Sequence, residues 1–189
     1  PWTRSSSTRG ASASVMAVSI NDDLSLRLDA LNRLAPKFAP LLLNSAALQA
    51  ELEQNMAVLS MFNYGAFVTQ LDGTAIASVP LSAPRIGVNY IDRDYVAAAL
   101  KDGKATISGP VVGKALHAPV VGMAVPIRDA RGAVIGALAG VIDLGKSNFL
   151  DKIADARYGK GGTFLLVAPQ QGLVVTASVK AMIMQRLPA

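Results

Sequence analysis

Arg85-Ile-Gly-Val-Asn-Tyr90-Ile91-Asp92-Arg93-Asp94-Tyr95 heads a stretch running to Leu144 whose reading decides the fold. A polar cluster, Tyr90 to Tyr95, is followed by strand-like runs over 105–109, 118–128 and 133–143, and the last of these ends on a lone carboxylate, Asp143. Asp92 is placed to cap a short helix over 93–101, and Gly103 to end it. An arginine and two tyrosines at a helix start can clamp an anion, while an acid at a strand end can hold a cation or a hydroxyl. That is the layout of a small-molecule pocket without catalytic apparatus.

Strand alternation puts Ala137, Ala139, Val141 and Asp143 on one face of the last run and Val134, Gly136, Leu138, Gly140 and Ile142 on the other. The small side chains of the first face leave room for a ligand, and the bulkier second face suits packing against a helix. A buried carboxylate is costly unless partnered, so Asp143 calls for a partner across the pocket. Arg93 is the natural anion ligand, because its planar fork meets a carboxylate with two parallel hydrogen bonds and its helix start aims backbone N–H groups at the same region. Tyr90 and Tyr95 add hydroxyls and an apolar wall, with Ser108 and His117 as candidates for the rim. The plain alternative for Arg93 is a surface ion pair with Asp92 or Asp94, which is worth little.

Upstream, Ala17, Ile20, Leu24, Leu28, Leu31, Leu34 and Phe38 recur at three and four, the stripe of a long amphipathic helix over 11–35 that Pro36 and Pro40 break. Leu48, Leu52, Met56, Leu59 and Phe62 form a second stripe after Asn44-Ser45, either of which can cap it. Residues 1–63 are therefore a helical region. Residues 65–71 and 74–79 flank Asp72-Gly73, a dipeptide favoured in tight hairpins because both central positions of a type I′ turn take positive φ. With the three later runs this gives a five-stranded meander over 64–144, in an α+β fold with helices packed on an antiparallel sheet.

Downstream, residues 145–189 hold a helical segment over 147–158 and then, after Gly161-Gly162, a hairpin over 163–167 and 173–177 turning at Gln170-Gln171-Gly172. Gly-Thr-Phe-Leu-Leu-Val here echoes Gly-Ala-Phe-Val-Thr at 65–69, as a second module that has only begun. A lone hairpin is marginal in water, so it must lean on something.

Composition narrows the function. The 189 residues are 51% hydrophobic and 16% charged, with mean hydropathy +0.37, which excludes disorder and points to strands buried on both faces. The net charge of +5 comes from scattered bases, and nucleic-acid binding needs a clustered basic face. No cysteine is present, which excludes disulfides and thiol chemistry. A bilayer-spanning helix needs about 20 predominantly apolar residues, and 119–144 is interrupted by Arg128-Asp129-Ala130-Arg131. With a single histidine, His117, a histidine-rich metal site is impossible, and no cofactor is implied. Ser108, His117 and Asp143 could form a triad on paper, but nothing like a nucleophile elbow surrounds Ser108. Gly159-Lys160-Gly161-Gly162 lacks the P-loop pattern and precedes a strand.

The order of long helix, Gly65-Ala-Phe-Val-Thr-Gln-Leu-Asp72-Gly73-Thr-Ala-Ile-Ala-Ser-Val-Pro80, Asp92-Arg93-Asp94-Tyr95-Val96-Ala-Ala-Ala-Leu100, Ile107-Ser108-Gly109-Pro110-Val111, Val125-Pro126-Ile127 and Gly136-Ala-Leu-Ala-Gly-Val-Ile-Asp143-Leu144 resembles the double Cache domains, from about residue 11 to the end. The resemblance implies a PAS-like membrane-distal module over 64–144 and a membrane-proximal one begun and cut short. It implies the periplasmic or extracellular part of an inner-membrane receptor, anchored in the full-length protein, a homodimer through the long helix, and an output domain of diguanylate cyclase type ahead of histidine kinase or chemoreceptor. Amino-acid-binding members carry an arginine, one intervening residue and two adjacent aromatics, with an aspartate ending the last distal strand. Arg93, Tyr95 and Asp143 match, and Val96 stands where the second aromatic would be, so a carboxylate or another small polar metabolite stays open beside an amino acid. The rival reading is a dimerisation scaffold without a ligand.

Overall fold

The computed structural model describes residues 9–152, 165–168, 171–177 and 179–186. Helix α1 (Arg9–Phe38) is longer than its stripe implied, because it runs through Pro36. Pro36 is exposed in the last turn, where the missing N–H removes one hydrogen bond and the helix has little left to lose. A 3-10 turn, Ala39–Leu41, carries Pro40 and ends the segment. Asn44 caps α2 (Ser45–Gln54), its Oδ1 accepting from the Ala47 N–H at 3.1 Å. The second stripe is split at Asn55, whose side chain turns back to donate to the Glu51 carbonyl at 2.8 Å, and α3 (Met56–Leu59) follows with Met56 exposed.

The sheet begins with β1 (Ala66–Gln70) and β2 (Ala75–Val79). The Asp72-Gly73 turn needs positive φ only at Gly73 (+90°), and Asp72 Oδ1 accepts from the Thr74 N–H at 2.8 Å. Then come α4 (Asp94–Lys101), two short strands β3 (Thr106–Ile107) and β4 (Val111–Val112), and the long pair β5 (Pro119–Arg128) and β6 (Val134–Asp143). The antiparallel order is β2-β1-β6-β5-β3, with β4 also on β5. This corrects the meander in one respect: β1 sits inside the sheet against β6, Ala66 facing Gly140, while α4 carries the chain across one face to the far edge. The extra strand β4 is only two residues long.

Alternation along β6 separates two layers. Leu138 and Ile142 join Val68, Met123, Val125 and Ile127 against α1, α2 and α3, whereas Ala137, Ala139 and Val141 join Phe67, Tyr90, Tyr95 and Val96 on the α4 side. Val134 departs from the expected face. The register skips Ile135 between Ile127↔Gly136 and Arg128↔Val134, and this bulge turns Val134 to the α4 side.

Residues 153–164, with the second half of the expected helix and Gly161-Gly162, lie outside the described residues, as does Gln170; of the first half only Asp151 and Lys152 are helical. The hairpin β7 (Leu165–Ala168) and β8 (Leu173–Ala177) turns at Gly172, φ +64°. It leans on the first module: Ala168 and Val175 are buried in the same apolar cluster as Leu144, Leu150 and α1.

Candidate functional site

On the α4 side, between the sheet, the turn into α4 and segment 111–116, lies a cleft lined by Tyr64, Phe67, Arg85, Tyr90, Arg93, Tyr95, Val111, Lys114, Leu116, Val120 and Val141 among others. It spans about 320 Å³ including its open mouth, but the centre of a water-sized sphere can occupy only about 20 Å³. That is room for about one water, so a metabolite enters only if a wall moves.

Three of the six expected site residues meet here. Arg93 is the N-cap of α4, its backbone extended (φ −85°, ψ 124°) so that the side chain reaches the cleft. No carboxylate lies within 4.0 Å of it among the described residues. The surface ion pair does not form, because Asp92 is held by Lys114 Nζ at 2.6 Å and Asp94 Oδ1 accepts from the Tyr95 N–H at 2.7 Å. Nor does Asp92 cap α4, since it is drawn to that lysine. The Lys114 hydrogen bond holds the Asp92 carboxyl below its usual range.

Tyr95 packs the hydroxyl end of its ring on β5, where Gly122 makes space: a Cβ there would stand 2.3 Å from the phenol ring. Burial pushes its phenol well up. Tyr90 stacks on Phe67 with centroids 4.5 Å apart and rings tilted by 35°. Its hydroxyl is buried with no hydrogen-bond partner, and burial raises its pKa, with Arg85 opposing. Buried hydroxyls are nearly always paired, so this one is available to a water or a ligand.

The other three residues are not in the lining. Asp143 is buried and shares the face of Val141, but its carboxylate turns back to accept from the Gly145 N–H at 2.8 Å and faces Lys146 Nζ at 3.9 Å. The expected convergence of Arg93 and Asp143 is therefore not made. Ser108 Oγ donates to the Gly109 carbonyl at 2.6 Å and accepts from the Gly122 N–H at 2.9 Å, which fixes the edge of the sheet. His117 is exposed at the end of a tight turn, φ +55°, its N–H donating to the Gly113 carbonyl at 2.9 Å. The triad on paper is thus dispersed, each member in a local bond.

Sequence reasoning missed Arg85, which is 1% exposed. Its guanidinium lies 4.3 Å from the Tyr64 ring centroid and 5.7 Å from that of Phe67. It donates to Ser78 Oγ at 3.1 Å, the Val79 carbonyl at 3.3 Å and the Tyr64 carbonyl. No carboxylate among the described residues pairs with it. Burial lowers its pKa, with Tyr64, Tyr90 and Tyr95 acting the other way, and a guanidinium stays charged regardless. Lys114 and Tyr64, also missed, complete the mouth. Among the described residues no group of acidic or histidine side chains could hold a metal, and no helix is long and apolar enough to cross a membrane.

A twisted antiparallel sheet with a long helix on one face and a cationic, tyrosine-lined cleft on the other is the architecture of a PAS-like sensor module. Comparison with known proteins gives the family. The Cache domain family model (dCache_1) matches residues 4–187, and the chain belongs to that family, the extracytoplasmic sensor domains of membrane receptors. Solved structures agree in fold. The ligand-binding domain of the Pseudomonas fluorescens chemoreceptor CtaA, in complex with L-serine, is 22% identical, with a TM-score of 0.71 over 92% of this chain and 72% of that one. That of the Pseudomonas aeruginosa amino acid chemoreceptor PctB, in complex with L-Gln, is 25% identical, with a TM-score of 0.71 over 92% and 69%. An extracellular ligand binding receptor from Desulfohalobium retbaense is 14% identical, with a TM-score of 0.77 over 92% and 31%. No curated protein matches. The chain is a sensor domain, and its structural relatives are ligand-binding domains.

Proposed function

We propose that this domain binds a small anionic or zwitterionic metabolite in the cleft beside Arg93 and relays its presence across a bacterial inner membrane. One observation carries the reading: two guanidiniums without a described carboxylate partner, Arg85 and Arg93, line one cleft with a buried, unpartnered tyrosine hydroxyl. A desolvated charge is expensive to leave uncompensated, and an anionic ligand supplies the compensation. The serine and glutamine named with CtaA and PctB, each carrying a carboxylate, support the same chemistry. Arg93, Tyr90 and Tyr95 are the primary ligand-binding residues, with Arg85 added. Asp143 joins only by releasing Gly145, and Ser108 and His117 act as scaffold.

Ligand entry parts segment 111–116 from the sheet. Closure then biases how α1 sits on the opposite face, and through α1 an output domain. The chemoreceptor neighbours favour a chemotaxis output over the diguanylate cyclase that resemblance put first. Val15, Val18 and Leu26, exposed along α1, offer a seam for a second copy in a homodimer. A thermal-shift screen of amino acids, carboxylates and amines tests the reading, since binding raises Tm by mass action. Arg93→Ala should remove the shift while leaving the ligand-free Tm unchanged. A dimer indifferent to every metabolite would favour the scaffold reading instead.

A further inference from the structure

We infer that the ligand is a small acid with two anionic ends, of the dicarboxylate class, rather than a zwitterionic amino acid. This rests on the cleft reading above and sharpens it. The cleft brings together Arg85, Arg93 and Lys114, and no acidic residue is among those lining it. Lys114 is already neutralised by Asp92 at 2.6 Å, so two net positive charges remain to be matched. An ammonium group needs acceptors, best a carboxylate, and no carboxylate lines the cleft: Asp92 is paired with Lys114, Asp94 is exposed and accepts from the Tyr95 N–H, and Asp143 accepts from the Gly145 N–H outside the lining. A bound amino acid would bring its positive end among guanidiniums with no carboxylate in the lining to receive it. A second carboxylate meets the opposite situation. The three hydrogen bonds that Arg85 makes go to neutral oxygens and use three of its five N–H donors, so charge and donors are both left over. Tyr90, with its hydroxyl buried and free, stands within the same lining to donate to an anionic oxygen. The two arginines come from separate elements, the loop after β2 and the start of α4, which suits two separated anionic groups better than one.

Isothermal titration calorimetry on the full chain at pH 8 tests this with succinate, 4-aminobutyrate and 1,4-diaminobutane, which share a four-carbon length but carry two, no and opposite net charges, and with L-alanine. Succinate should bind at least about tenfold tighter than 4-aminobutyrate and L-alanine, with no heat from the diamine, as electrostatic complementarity requires. Arg85→Gln should narrow the gap between succinate and 4-aminobutyrate by about tenfold, and Arg85→Lys, which keeps the charge, should retain most of it. Circular dichroism melts check that both variants fold; if Arg85→Gln does not, the wild-type panel and Arg85→Lys decide. Equal or tighter binding of 4-aminobutyrate or L-alanine, lost in Arg93→Ala, overturns the dianion inference and leaves the cleft reading standing. Binding by no compound, or binding indifferent to Arg93→Ala, overturns both.

Discussion

The two faces of the sheet are built from the same strands and yet by different rules. Toward α1, β5 and β6 present the large aliphatics Met123, Val125, Ile127, Leu138 and Ile142, with Gly136 and Gly140 making room for Leu42 and Phe62, and the layer is closed by Leu31, Phe38, Leu48 and Leu52. Toward α4, the same strands present Ala124, Ala137 and Ala139, and aromatic rings with a buried arginine fill the space. One layer is apolar and complementary, as cores that set stability are. The other accepts an unmatched charge and an unpaired hydroxyl, which lower stability and which the proposed ligand would compensate. The site is thus legible as the place where the rules of the first layer are broken.

Substitutions that exchange the roles of the two faces test this contrast. Leu138→Ala, in the apolar layer, should cost about 2–5 kcal/mol in urea melts and leave ligand affinity per folded molecule unchanged. Two glycines one register pair apart give a matched test. Gly140→Ala drives a methyl to 2.5 Å from Phe62, and Gly122→Ala to 2.3 Å from Tyr95. Each should cost about 1–3 kcal/mol by overpacking, but only Gly122→Ala should also disturb binding, because Tyr95 has to move. Tyr90→Phe removes a buried hydroxyl that has no partner, so the ligand-free protein should hold or gain about 1 kcal/mol while ligand affinity falls. A loss of stability there would mean the hydroxyl is satisfied without ligand. The smallest effect concerns pH. Tyr90 and Tyr95 titrate higher folded than unfolded, so stability is complete below the unfolded phenol value of about 10 and declines as pH rises toward the folded values. Phe at both positions should flatten that alkaline decline in melts taken from pH 8 to 11.

Much of the fold was legible in the sequence because short-range periodicity is strong here. The stripe of α1, the Asp72-Gly73 hairpin, a cap at Asn44-Ser45 and the two faces of β6 beyond Val134 follow from spacing alone. The pairing of β1 with β6 does not, since nothing local distinguishes an inner strand from an edge one. For the site, Arg93, Tyr90 and Tyr95 were legible as a polar cluster at a helix start. Arg85 was not: between Pro84 and Ile86 in a loop with Gly87 it reads as exposed, and its burial is made by Tyr64 and Phe67, distant in sequence. The signal available was an arginine with no acid nearby in the chain. Asp143 shows the reverse error, for a strand-end position predicts the face but not the rotamer, and a free N–H two residues on captured the carboxylate.

Because Ala66 finds its neighbour Gly140 more than seventy residues later, the sheet has no complete centre until the ribosome has passed Asp143. Closure of so long a loop slows folding. The early hairpin must therefore wait, half-covered by α2, and a chain released before β6 is made would expose β1 as an open edge, the template on which aggregates grow.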